Sequence, residues 1–141
     1  MTNINPYLSF KGNCKEAMNF YQQCLGGELT IQTVGGSPVE SQCTMVSKDD
    51  VLHSSLINNS LVLMATDMTG GEEEAYNFGN NISLSVNCSS EEEINRFFTK
   101  LSEGGKVLHP LSTQFWGATF GVLKDKFGIR WLFNYDKNQK A

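Results

Sequence analysis

Apolar positions along this chain follow two rhythms, and the switches between them mark the elements. Ala17, Phe20, Tyr21 and Cys24 fall at i, i+3, i+4 and i+7, one apolar stripe of an amphipathic helix. Ile94, Phe97, Phe98 and Leu101 repeat that spacing. Before each helix the period changes to two, with Leu8 and Phe10 in "YLSF" and Ile82, Leu84 and Val86 in "NISLSV", the pattern of a strand buried on one face. After the first helix come "ELTIQTV", "VLHSSLI" and "LVLMAT"; after the second come "KVLHPL", "WGATFGVLKD" and "IRWLFNY". The predicted order is βαβββ, twice.

The two halves share more than order. "NCKEAMNFYQQCLGG" begins at Asn13, and 77 positions later "SEEEINRFFTKLSEGG" begins at Ser90, one residue longer. Asn13 and Ser90 are N-cap residues, each followed three positions later by a glutamate, Glu16 and Glu93, which predicts a capping box at both starts. Both stripes end at a glycine pair, Gly26-Gly27 and Gly104-Gly105, suited to the left-handed C-terminal turn.

Such a pattern predicts an α+β fold of two tandem βαβββ modules, about 4–68 and about 79–136, in one domain of 141 residues. One face of each mixed sheet covers its own helix. The other faces are expected to enclose a cavity suited to a small ligand. Strand alternation puts Tyr7, Ser9, Gln32, His53, Ser55, Val62 and Met64 on those inner faces, with Ser83, Ser85, Leu132 and Asn134 in the second half. Trp116 and Phe120 offer flat surfaces for stacking. Ile129, Trp131 and Phe133 face the second helix as core, and Phe127-Gly128 reads as the turn before the last strand.

Composition narrows the partners. The net charge is −4 with lysines and arginines scattered singly, so the footprint of a nucleic-acid binder is missing. No basic leader precedes an apolar run, and no apolar run approaches the ~18 residues of a membrane span, so no membrane partner and a cytoplasmic location are expected. Cys14, Cys24, Cys43 and Cys88 show no metal-binding or redox spacing and read as reduced, mostly buried thiols. The acidic runs Asp49-Asp50 and Gly70 to Glu74 read as solvated surface. Signatures of acyl, phosphoryl and nucleotide chemistry do not occur.

"PYLSFKGNCKEAMNFYQQCLGGEL", "LHSSLINNSLVLMATD" and "FWGATFGVLKDKFGIRWLFN" resemble the PhnB-like branch of the vicinal oxygen chelate superfamily, across Pro6 to Tyr135. That superfamily includes glyoxalase I, extradiol dioxygenases and bleomycin-binding proteins, and the branch is also labelled glyoxalase-like or demethylubiquinone methyltransferase-like. The resemblance implies the duplicated fold and a homodimer. Metal-using members place His, Gln or Glu on the first and fourth strand of each half. Carried over, those positions are Tyr7, Met64, Ser83 and Leu132 here, none a good ligand for a divalent ion, so neither metal nor other cofactor is expected.

His53 and His109 are the two histidines. His53 shares a strand face with Ser55 and Ile57, opposite to Leu52, Ser54 and Leu56, and is the candidate proton donor or acceptor. His109 precedes Pro110 at a strand or turn boundary and is the weaker candidate. Three readings follow. One is a glyoxalase- or dioxygenase-like enzyme, a lyase or oxidoreductase, using His53. Another is a protein that sequesters a partly apolar small molecule, and a third is a dimeric scaffold.

Overall fold

The computed structural model describes residues 2–37, 48–68, 77, 79–115 and 117–136. Trp116, Cys43 and the Gly70 to Glu74 run lie outside them. Contacts gather into two compact units, Met1–Asn77 and Phe78–Ala141.

The first unit runs β1 (Tyr7–Ser9), α1 (Cys14–Leu25), β2 (Glu28–Thr33), β3 (Val51–Asn58) and β4 (Leu61–Thr66). Its sheet has the order β1-β4-β3-β2, with β4 parallel to β1 and antiparallel to β3. The stripe Ala17, Phe20, Tyr21 and Cys24 is buried against this sheet, as are Leu56, Leu63 and Ala65 from its strands.

The start of α1 departs from the expected capping box. The Asn13 side chain makes no cap hydrogen bond. Asp67, just beyond β4, takes over: its Oδ1 accepts from the N–H groups of Gly12 at 2.9 Å and Cys14 at 3.0 Å, and its Oδ2 from Val51 N–H at 2.8 Å. A carboxylate that accepts three backbone donors satisfies them better than a short amide can, and it ties the helix start to β3 and β4 together. At the other end Gly26 (φ 76) donates its N–H to Gln22 C=O at 2.8 Å, and Asn58 Nδ2 donates to Leu25 C=O at 2.9 Å.

The second unit runs β5 (Leu84–Asn87), α2 (Glu91–Ser102), β6 (Lys106–Thr113), β7 (Thr119–Lys124) and β8 (Arg130–Tyr135), in sheet order β5-β8-β7-β6. Both sheets are therefore mixed and four-stranded with one parallel pair, and the α+β class predicted from the repeat is the one adopted. Strand β5 starts later than "NISLSV" suggested, leaving Ile82 outside it and 78% exposed.

Here the Ser90 half of the expected box forms, and the glutamate half shifts by one residue. Ser90 Oγ accepts from Glu93 N–H at 3.0 Å, while Glu93 Oε1 accepts from Ser89 N–H at 3.0 Å, one residue before the cap. Trp131 and Phe133 are core, Phe133 meeting Phe98 edge-on at 5.7 Å. The Asp125–Gly128 turn closes with Gly128 (φ 91) donating to Asp125 C=O at 3.0 Å. Buried Asp125 Oδ1 accepts from Phe127 and Ile129 N–H, and its Oδ2 from the Trp131 indole at 2.8 Å. One carboxylate thus holds the turn and orients a core tryptophan. Among the described residues no helix is long and apolar enough to cross a membrane.

Candidate functional site on the first sheet

Strand register decides which side chains share the face turned away from α1. Tyr7 pairs with Met64, Met64 with Ser55 and Ser55 with Thr30, forming one row across the sheet. One row along, Gln32 pairs with His53, and Ser9 pairs with Thr66. Along β3, His53 and Ile57 are exposed and Ser55 half-buried, whereas Val51, Ser54 and Leu56 are buried beneath them. Tyr7, Ser9, Gln32, His53 and Met64 do share one face, as their alternation predicted.

Sequence reasoning missed a contact between two of them. The Tyr7 hydroxyl lies 2.9 Å from His53 Nδ1, with the rings 5.6 Å apart and inclined by 39°. In chain order β1 and β3 are remote, and β4 lies between them in the sheet, so the phenol must reach across a strand. An aromatic on the first strand was the available signal; the strand order that brings it within reach was not.

On the corresponding face of the second sheet, Ser85 pairs with Leu132 and Asn134 with Phe120. Half-buried Phe120 meets His109 edge-on at 5.8 Å. Ser83 is half-buried and precedes β5, so the residue that faces Leu132 as Tyr7 faces Met64 is Ser85, not Ser83. The pairing β1 with β4 and β5 with β8 sets this register, which the helix repeat could not.

The four positions that the superfamily resemblance assigns to metal ligands, with Ser85 in place of Ser83, carry a phenol, a thioether, a hydroxyl and an alkyl chain. Hard divalent ions favour carboxylate and carbonyl oxygens and borderline ones favour imidazole, and this set of side chains offers none of these. Among the described residues no group of three or more His, Cys, Asp or Glu is placed to hold a metal. The thiols are equally quiet: burial pushes Cys14 up to about 11 and Cys88 up to about 12, so both stay protonated at neutral pH.

Comparison with known proteins agrees with the fold. A family model described as 3-demethylubiquinone-9 3-methyltransferase matches residues 2–133. Protein YjdN of Escherichia coli K12 is 32% identical over 96% of this chain and 97% of its own length. The crystal structure of protein PA1353 from Pseudomonas aeruginosa shares 38% identity over 96% of this chain and 98% of its own, with a TM-score of 0.82. A putative 3-demethylubiquinone-9 3-methyltransferase, PhnB protein, from Bacillus cereus shares 28% over 95% and 99%, with a TM-score of 0.71. At 14% identity, over 92% and 95% of the two chains and with a TM-score of 0.60, a glyoxalase/bleomycin resistance protein/dioxygenase family enzyme from Burkholderia phytofirmans shares the fold alone.

Proposed function

The chain belongs to the 3-demethylubiquinone-9 3-methyltransferase family, the PhnB-like branch of the glyoxalase-like superfamily, and on that footing we propose that it binds a small, partly apolar molecule on the first-sheet face bearing Tyr7 and His53, without the divalent ion of metal-using relatives. The observation that carries this reading is the Tyr7–His53 hydrogen bond, a built polar contact on an exposed sheet face. His53, Gln32 and Ser55 supply directional polar groups beside the Tyr7 ring and Met64, the mixture that orients a modest ligand. The Phe120 and Leu132 face of the second sheet offers a comparable surface of its own. Any reaction on the bound molecule would use His53 as the acid or base. The family description names methyl transfer; the side chains on this face supply hydrogen bonds and apolar contact, and binding is what they support. Cys14 and Cys88, buried as thiols, support action in the reducing cytoplasm.

A thermal-shift screen with small aromatic compounds tests it. A ligand at a hundred times its Kd stabilises by about 2.7 kcal/mol, and His53→Ala should abolish the shift. A screen that moves nothing, or a hit that His53→Ala binds equally well, refutes the reading, and a stoichiometric divalent metal in purified protein refutes its metal-free part. The superfamily resemblance implies a homodimer as well. Sedimentation as a clean monomer at micromolar concentration would remove that.

A further inference from the structure

We propose that Tyr7 is a positioning residue that holds neutral His53 in the tautomer with its proton on Nε2, so that the face offers a donor to a ligand oxygen and selects small aromatic compounds bearing a carboxylate or carbonyl. The ligand class rests on the binding reading above; the tautomer stands without it.

The argument starts from the phenol, which has one proton to give. Among the described residues, the 2.9 Å contact between them is the one hydrogen bond made by the Tyr7 hydroxyl and by the His53 ring. A phenol is the better donor and an imidazole nitrogen the better acceptor, their ordinary pKa values being about 10 and about 6.5. Nδ1 therefore accepts, and the ring's own proton sits on Nε2.

His109 provides the contrast within the same chain. Its Nδ1 lies 2.9 Å from the Pro110 carbonyl oxygen, which can only accept. Nδ1 must then carry the proton, leaving Nε2 as the acceptor. The two histidines hold opposite tautomers because their Nδ1 partners have opposite hydrogen-bonding character.

No other side chain or backbone group among the described residues bonds the His53 ring, so its Nε2–H is left for solvent or ligand. Gln32, opposite His53 across the β2–β3 pair and exposed, likewise makes no side-chain hydrogen bond among the described residues and can turn its NH2 outward. Two donors beside the Tyr7 ring and the Met64 thioether match an oxygen acceptor on a flat apolar body. A cationic ligand would be opposed by the His53 donor, and Gln32 could accept from it only with its amide oxygen turned outward in place of the NH2.

The test uses the full chain with ring-labelled histidine, at pH about 8.5 where a free imidazole is neutral. Long-range proton–nitrogen spectra should show His53 protonated on Nε2 with a hydrogen-bonded Nδ1, and His109 protonated on Nδ1. In Tyr7→Phe the His53 Nδ1 signal should move to that of a free imidazole nitrogen, while an unchanged His109 certifies the fold. His53 protonated on Nδ1, or a His53 pattern indifferent to Tyr7→Phe, overturns the proposal. In calorimetric titrations benzoate should bind the wild type at least tenfold more tightly than benzylamine, and Tyr7→Phe should weaken benzoate about fivefold. Benzylamine binding as well as benzoate overturns the ligand class while the binding reading survives. Failure of every aromatic probe to bind, with the tautomers as stated, overturns the binding reading instead and takes the ligand class with it.

Discussion

The two helices carry matching start signals in sequence, yet they are capped by different means, and substitutions at three positions separate the mechanisms. Ser90→Ala removes an acceptor 3.0 Å from Glu93 N–H and should cost about 1 kcal/mol, the usual value of such a cap. Asn13 makes no cap bond, so Asn13→Ala should stay within about 0.5 kcal/mol of wild type. Asp67 is 5% exposed and accepts from three backbone donors, of which Cys14 and Val51 belong to residues with no exposed surface. Water cannot easily replace the carboxylate at those two. At about 1–3 kcal/mol for each buried donor left unpaired, Asp67→Ala should cost about 2–6 kcal/mol. Asp67→Asn keeps one acceptor oxygen and turns an NH2 toward a donor, so it should fall between. Urea denaturation, with midpoints compared at a common slope, reads all four variants. Against a total stability of about 5–15 kcal/mol the alanine variant sits near the threshold, and the asparagine variant keeps the series measurable. An Asn13→Ala cost equal to that of Ser90→Ala, or an Asp67→Asn indistinguishable from wild type, would refute the capping argument.

Two further outcomes follow from packing. A methyl at Gly121 would lie 2.7 Å from Leu111 Cδ2 and 2.8 Å from Phe98 Cε2, so Gly121→Ala should overpack the second core by about 1–3 kcal/mol; an unchanged melting temperature would contradict that contact. Because burial raises Cys14 to about 11 and Cys88 to about 12, both should resist alkylation at pH 8 until the chain is unfolded in urea, as peptide mapping can show. Their folded pKa values lie above the unfolded value of 9.0, so their contribution to stability is full below pH 9 and is lost as pH rises toward 11 to 12; labelling of the native chain as fast as of the unfolded one would refute both statements.

The second helix was legible down to its cap. Ser90 and Glu93 stand in the right spacing, and both oxygens find backbone donors within a turn. The same spacing at Asn13 and Glu16 misled, because Asp67 reaches that helix start from the end of β4, 55 residues from Gly12. Asp125 in "VLKDKFG" was equally silent in sequence, and only the folded turn shows its carboxylate against the Trp131 indole.

The candidate site divides along the same line. Alternation alone was enough to put His53, Ser55 and Ile57 on one side of β3 and Ser54 and Leu56 on the other, since side-chain direction in a strand is a local property with period two. The insertion of β4 between β1 and β3, the β5–β8 register that makes Ser85 rather than Ser83 the partner of Leu132, and the reach of Tyr7 to His53 came from tertiary structure. Periodicity fixes which way a side chain points, because that depends on its neighbours in the chain. Which group it meets depends on which strands lie side by side, and that is settled only when the sheet is assembled.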